Sequence, residues 1–442
     1  MVSYRPPKDW HQWVEWLAAG LHGRSRWRLS VILLGMLFAR GRRTVTSWLR
    51  AVGILDDFSD YYYFLQPAGR KTKELAERLF ARIMIRLVHD ERVLLAVDDT
   101  PTKRYGPKVQ GAGIHRNPAP GPADHKFLYG HIWVTISLVL RHPLWHTIGL
   151  PLLGLLYVRA KDIAKIPQKH AWKFRTKLEL AQRAVMPLAN LVQTAGKTVW
   201  VVADGAYAKR PFLKPLRAAR VIVVSRLRKD AALRTVPKPS KTSKRGRPPK
   251  YGKQRMHLAR RAAQPHGWQQ VECFAYGKRV VKTIKTFLAT YPPAGGLIRV
   301  VIVKEEAGCE FFFCLEPQAT PCEIIEAFAD RAAIEQDYHD VKEVWGAGQQ
   351  QVRHIWTNVA VFNLNLWAHT LVECWAWHKP AAELCDRSNS PWDDPDRRPS
   401  HADRRKALRR QTLHNEFLSL SVAHRLSSKI RSFYQRLLQL AA

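Results

Sequence analysis

The sequence predicts an α/β protein, with an all-α N-terminal domain, a sheet-based core interrupted by a mainly β insertion, and closing helices. Three observations predict it. Residues 1 to about 90 repeat apolar side chains at helical spacing, and Leu75, Leu79, Ile83 and Leu87 form one stripe. Beyond them the chain switches to apolar runs of strand length, two of which, LLAVDD and WVVAD, end in acids. Later, strand-like segments such as LIRVVIV and CEFFFCL crowd together before a new helical start.

Taken in order, Trp10–His22, Arg26–Ala39 and Thr72–His89 read as helices. Between the second and third lies GRRTVTSWLRAVGI, where Thr46 or Ser47 is expected to cap a short helix. A helix entered through Arg42 and Arg43 could sit on DNA phosphates or in a groove. A solvated basic bend explains the same residues equally well. ERVLLAVD, HIWVTISLVL and LWHTIGLPLLGLLYV then read as three strands, the last two joined by a turn at Arg-His-Pro. A helix over about Trp172–Val192, the strand TVWVVAD, a helix near Lys209–Ala219 and the strand VIVVS follow. Three strands, then helix, strand, helix, strand is the chain order of an RNase H-like catalytic core.

The expected units are a helical DNA-binding domain over 1–90, the first part of the core over 91–225 and a basic loop with β insertion over 226–319. The final core helices cover 320–380, and a charged tail with a helix covers 381–442. From Arg228 to Arg261 the chain is dense in Lys and Arg, with Asp230 as its one acid. Its R-G-R-P segment, with Arg245 and Arg247, resembles an AT-hook lying along a narrow minor groove. A flexible solvated linker is the plain alternative. The stretch 386–410, rich in charge and proline, reads as loosely ordered, with Arg404–Arg410 available to DNA.

Composition narrows the partners. Lys and Arg number 72 against 36 Asp and Glu, a formal charge of +36. A surplus of that size suits a polyanion, because each neutralised phosphate releases counterions. Six cysteines without a C-x-x-C pair make neither a disulfide framework nor a zinc site, so reduced thiols of a cytoplasmic protein are expected. Two apolar stretches invite a membrane reading. His131–Val158 is broken by Arg141, His142 and Pro143, and Ile355–Trp377 carries Asn358, Asn363, Asn365 and His369. Polar groups at that density are costly in lipid, so no membrane partner is expected.

The chemistry points to three acids. Asp98 and Asp99 end one strand and Asp204 ends another. A carboxylate at a buried strand's exit is held rigidly, and two on neighbouring strands repel unless a cation lies between them. Hard divalent cations are the usual partners of such oxygens. A lone strand-end Asp is more often a turn-former, so a third acid matters. Thr320-Pro321-Cys322-Glu323 carries the cap, the first-position proline and the third-position acid of a helix start. Along the helix it opens, Phe328, Arg331, Glu335 and Lys342 fall on one face.

The pattern F-x2-R-x3-E-x6-K resembles the Tyr-Arg-Glu-Lys signature of bacterial insertion-sequence transposases in the DDE superfamily. Phe328 stands where that family has tyrosine, so the aromatic surface is kept and the phenol is not. VDDT resembles the family's D-x-T at the first acid, and VVADGAY its second-Asp motif. The resemblance covers roughly residues 90 to 370. It implies Asp98, Asp204 and Glu335 as catalytic and metal-holding residues. Asp99 is the rival for the first place, and Asp98 is preferred because it leaves Thr100 in the D-x-T position. It further implies two Mg2+ ions, for which Mn2+ can substitute, with Arg331 and Lys342 on phosphates. Cut-and-paste transposition of a bacterial element, a nucleoid-associated location, binding of double-stranded terminal inverted repeats and target DNA, and a homodimer holding two ends all follow from the same resemblance. An RNase H-like nuclease that never joins strands, or a transposase-derived DNA-binding protein without catalysis, would share parts of this pattern.

Overall fold

A computed structural model describes residues 4–117, 125–237, 249–387, 390 and 392–420. Arg245 and Arg247 lie outside the described residues. The chain begins with five helices, α1 (Lys8–Ala18), α2 (Trp27–Phe38), α3 (Val45–Ala51), α4 (Ser59–Arg70) and α5 (Thr72–Leu87). The α5 stripe of Leu75, Leu79 and Ile83 is fully buried, as its spacing requires. Helix α3 is capped by Thr44, whose hydroxyl accepts the Ser47 amide at 3.1 Å. The cap therefore sits two residues before the expected Thr46. Thr44 has the extended backbone a cap needs, whereas Thr46 and Ser47 are already inside the helix.

Next come β1 (Arg92–Lys103), β2 (Gly113–Arg116), β3 (Phe127–His142), β4 (His146–Tyr157), α6 (Ala160–Ile163), α7 (Lys177–Thr194), β5 (Thr198–Ala203), α8 (Arg210–Ala218) and β6 (Ile222–Arg226). The strands β4, β3, β1, β5 and β6 lie side by side in that order. Pairing is antiparallel from β4 to β1 and parallel from β1 to β6. Then follow β7 (Leu233–Arg234), β8 (Arg255–Met256), α9 (Leu258–Ala263), β9 (Gln269–Ala275), β10 (Lys278–Tyr291), β11 (Gly296–Glu305) and β12 (Gly308–Cys314). Through β12, which pairs antiparallel with β6, these strands extend the same mixed sheet to twelve strands among the described residues. The last helices are α10 (Pro321–Asp330), α11 (Ala333–Glu343), α12 (Ile355–Ala376), α13 (Ala381–Leu384) and α14 (His401–Leu420).

The central strands are apolar on both faces because both are covered. Val93, Leu95, Val97, Val199, Val201 and Ala203 belong to one buried cluster with Leu180, Ala184 and Leu188 of α7. Leu94, Ala96, Trp200, Val202 and Val224 belong to another with Ile324, Ile325 and Ala327 of α10 and Ile334 of α11.

Helix α12 is buried on every side, and Asn363, Trp367 and Thr370 on it serve the neighbouring strand. The β3–β4 register shifts between Ile136 and Ser137, leaving Leu152 as the extra residue beside Pro151. The Trp367 indole donates to Leu152 O at 2.7 Å, and the Thr370 hydroxyl to Pro151 O at 2.6 Å. Asn363 both donates to and accepts from the Gly154 backbone. These bonds satisfy a bulged strand that a proline cannot serve. Among the described residues no helix is long and apolar enough to cross a membrane.

The expected loose C-terminal stretch is corrected in part: α14 is packed into the molecule. Arg404, Arg405 and Arg409 are buried. The Arg404 guanidinium pairs with Glu373, and Arg405 donates to Met36 O and Leu37 O at the end of α2. Guanidinium groups there close a helix end whose carbonyls lack intrahelical donors, which is why an Arg-rich helix can be buried.

Close approach fixes one glycine. A side-chain carbon on Gly69 of α4 would stand 1.9 Å from the carbonyl oxygen of Trp356 in α12. Gly69→Ala is expected to lower unfolding free energy by at least about 1–3 kcal/mol. Gly23→Ala, which meets nothing within 4 Å, should change it by under about 0.5 kcal/mol. Equal urea midpoints for the two variants would refute this account of the α4–α12 contact.

A second prediction concerns pH. Arg104 Nε donates to His131 Nδ1 at 3.2 Å, so that nitrogen must accept, and Nε2–H is left to donate to Gln110 O at 3.0 Å. Burial first, and Arg104 second, push the His131 imidazole down to about 3. The folded state thus binds fewer protons than the unfolded chain below about pH 6.5, and stability is lost as pH falls from there toward 3. Between pH 7 and 5 the loss traceable to His131 is about 2 kcal/mol. Urea titrations should show His131→Asn losing correspondingly less than wild type, and parallel pH curves would count against it.

Candidate active site

The site begins with strand alternation. β1 and β5 run parallel in register, and Val97 opposite Ala203 is their last pair. Side chains two apart share a face, so Leu94, Ala96 and Asp98 align with Trp200, Val202 and, one residue past the last pair, Asp204. The apolar members are buried under α10 and α11, while both acids are partly exposed at the end of the row. Asp204 opens a single 3-10 turn over Gly205–Tyr207, its carboxylate accepting the Ala206 amide at 3.4 Å. The Ser225 hydroxyl on β6 donates to its peptide oxygen at 3.1 Å.

The third acid comes from the helices. Thr320 and Glu323 form the expected capping box at the start of α10. The expected single helix does not run through, however. Around Arg331 the hydrogen bonds tighten to three-residue spacing, from Arg331 N to Phe328 O, Ala332 N to Ala329 O, Ile334 N to Arg331 O and Glu335 N to Ala332 O. Two helices, α10 and α11, abut there through a 3-10 step. Arg331 sits at the junction and reaches back to the sheet. One terminal nitrogen of its guanidinium lies 2.7 Å from Asp98 Oδ2, and the other lies 3.1 Å from Glu335 Oε1. Arg331 is half-buried beside Phe328, with the guanidinium 5.5 Å from the ring centre, while Glu335 is exposed. Arg226 of β6 lies 5.8 Å from the same ring. Lys342 lies two turns beyond Glu335, about 10 Å along the axis. It is half-buried over the Tyr338 ring, and burial lowers its pKa.

Burial dominates the electrostatics. It raises the Asp98 carboxyl to about 6 against the opposing pull of Arg331 and the Asp99 amide, with Asp99 and Asp204 pushing the same way as burial. Asp98 therefore lies within electrostatic reach of Asp204. Asp99 points to the other face of the sheet, where Lys177 at the start of α7 pairs with it at 2.6 Å and the Tyr207 phenol donates at 3.2 Å. A doublet of acids on one strand is thus split between two environments. Opposite Asp98 stands Thr135 of β3. Its hydroxyl lies 3.3 Å from the Asp98 carbonyl oxygen and 2.6 Å from the Tyr338 phenol. Tyr338 of α11 is one helical turn past Glu335, and burial, with Asp98 next, pushes its phenol well up.

Asp98 and Glu335 are brought together through Arg331, with Asp204 beside them. The basic residues of the N-terminal turn are elsewhere. Arg42 is exposed. Arg43 donates to Ala39 O and to Gly41 O at the end of α2, and burial lowers its pKa.

A second group of possible ligands was not foreseen. Among the described residues, ligand atoms of His369, Glu373 and His401 lie within 4.8 Å of one another, all buried. The Glu373 and His401 atoms are already engaged, whereas His369 Nδ1 is buried without a hydrogen-bond partner. His401 Nδ1–H donates to Glu373 at 2.6 Å, Arg404 holds the other carboxylate oxygen, and Trp345 donates to His401 Nε2 at 2.7 Å. The two imidazoles stack at 3.9 Å. The group ties α14 to α12. His369 and Glu373, four apart in an apolar helix, were its sequence signal. Thr135, Tyr338, Arg226 and the Asp99–Lys177 pair were also missed. Helix phase from Glu335 could have found Tyr338, but the other contacts join segments far apart in sequence.

A family profile described as DDE superfamily endonuclease matches residues 17–286, more than half of the chain. Asp98 and Asp204 fall inside the match, and Arg331 and Glu335 lie beyond it. No curated protein matches the chain.

The phenol–hydroxyl pair generates a prediction. Tyr338→Phe removes one hydrogen bond between α11 and the strand facing Asp98, and should cost about 0.5–1.5 kcal/mol of stability. Chemical denaturation giving wild-type stability would mean that the Thr135 contact contributes nothing.

Proposed function

The chain belongs to the DDE superfamily of endonucleases, and on that premise we propose that it is a DNA transposase of an insertion sequence, cutting element ends and joining them to target DNA. Supporting this is the convergence of Asp98 and Glu335 on one guanidinium beside Asp204. The strands β4, β3, β1, β5 and β6 are read as an RNase H-like core. The elements β7–β12 are its insertion and α1–α5 its DNA-binding unit.

Endonucleases of this superfamily are generally divalent-metal dependent, and the donor set fits such an ion. Carboxylate oxygens are hard ligands, and the Arg331 guanidinium among them marks where positive charge is needed. Mg2+ is the proposed ion, held by Asp98, Asp204 and Glu335. When bound, two such ions lower the cost of forming the attacking oxygen and of releasing the departing one. The protein's own residues position these groups. Asp98 is held by its strand and Thr135, Asp204 by its turn and Ser225, and Glu335 by α11. Arg331 and Lys342 supply positive charge for phosphates of the cleaved strand. The +36 surplus favours double-stranded DNA, with terminal inverted repeats as the specific sites, Arg42 as a candidate backbone contact and a homodimer pairing two ends.

The test is a cleavage and joining assay with magnesium, on duplexes carrying the inverted repeats that flank the gene. Asp98→Asn, Asp204→Asn and Glu335→Gln should each lose cleavage by about 10²-fold or more while still binding the duplex. Asp99→Asn should lose far less, because its carboxylate serves Lys177 and Tyr207 on the other face. Unchanged cutting in the first three variants would sink the assignment. Cutting without joining would instead make the protein a nuclease.

A further inference from the structure

We propose that Arg331 is an internal competitor for the divalent-cation site, its guanidinium holding the position between Asp98 and Glu335 that the cation takes when it binds. The inference rests on the assignment of those acids above.

Three observations carry it. First, the guanidinium uses different terminal nitrogens for the two carboxylates, at 2.7 and 3.1 Å. It therefore spans them as a cation would, instead of pairing with one in a two-pronged contact. Second, its Nε is buried without a hydrogen-bond partner. Both hydrogen bonds that the guanidinium makes go to these two acids. Third, among the described residues the ligand atoms of Asp98, Asp204 and Glu335 do not reach the 4.8 Å closeness found at His369, Glu373 and His401. With a guanidinium between them, the carboxylates are spaced for it, and an ion as small as Mg2+ would draw them closer.

A single positive charge cannot balance three carboxylates. A divalent ion would balance them better, but both cations cannot occupy the same place without strong repulsion. Cation entry and guanidinium departure are therefore coupled, and Arg331 lowers the apparent metal affinity by the free energy of the contacts it gives up. The 3-10 step at Arg331 supports this, since a helix junction can turn the side chain without unwinding a full turn.

The experiment is a Mn2+ titration of the full chain, without DNA, followed by calorimetry or by the electron paramagnetic signal of free Mn2+. Arg331→Gln should bind Mn2+ about tenfold more tightly than wild type, and Arg331→Lys, which cannot span both acids, should fall between them. Adding Asp98→Asn to either background should abolish the tight site. Equal affinities for wild type and Arg331→Gln, with Asp98→Asn still weakening both, would overturn the competitor role and leave the metal site standing. Insensitivity to Asp98→Asn would instead remove the assignment on which the role rests. Should Arg331→Gln fail to fold, wild type provides the measurement. Phenylglyoxal labelling at Arg331, read by mass spectrometry, should rise on Mn2+ addition, and unchanged labelling would overturn the proposal.

Discussion

The in-register parallel pairing of β1 with β5 is the constraint on which the candidate site depends. Because side chains alternate, this pairing sends Leu94, Ala96 and Asp98 to the same face as Trp200, Val202 and Asp204. A slip of one residue in either strand would turn its acid to the α7 face, where Asp99 already has Lys177. The apolar residues below the acids are what hold the register, since they must bury under α10 and α11. Packing in the core thus determines the placement of chemistry at its rim.

Charge is handled differently at the rim and in the interior. At the rim, Asp98 and Glu335 share Arg331, with Asp204 beside them. In the interior, Glu373 is enclosed by Arg404 and His401, with both oxygens used. Burial would raise the Glu373 carboxyl, yet Arg404 and His401 overcome it and hold it well below the usual range. Asp98 shows the opposite balance, because burial outweighs Arg331 there. The interior group ties two helices together, and at the rim one guanidinium serves two carboxylates.

Much of the chain was legible in sequence where the cause is local. The α5 stripe, the strand ending just before Asp204, the turn between β3 and β4, and the Thr320 capping box all follow from periodicity or short-range chemistry, whereas β1, expected to end at Asp98 and Asp99, runs on to Lys103 because β3 continues to pair with it. The errors were also physical. Residue type alone points to Thr46 or Ser47 as readily as to Thr44, since three hydroxyls stand within four positions and only the backbone conformation distinguishes the cap. The helix through Arg331 was drawn unbroken because nothing in ADRAAIEQ breaks a helix, and the tighter turn exists where Arg331 reaches the sheet. The Arg-rich α14 looked solvated because its acid, Glu373, lies on another helix.

By itself, the sequence determined the elements, the positive surplus, the candidate acids and the spacing of Arg331, Glu335 and Lys342. Each depends on residues close in the chain or on composition. Only the tertiary structure decided that Asp98 and not Asp99 faces Asp204, that Arg331 spans two acids, that β7–β12 extend the central sheet, and that Arg404 is buried. Those outcomes depend on which faces pack together and on pairs separated by tens to hundreds of residues, and no local pattern encodes which distant face will be opposite.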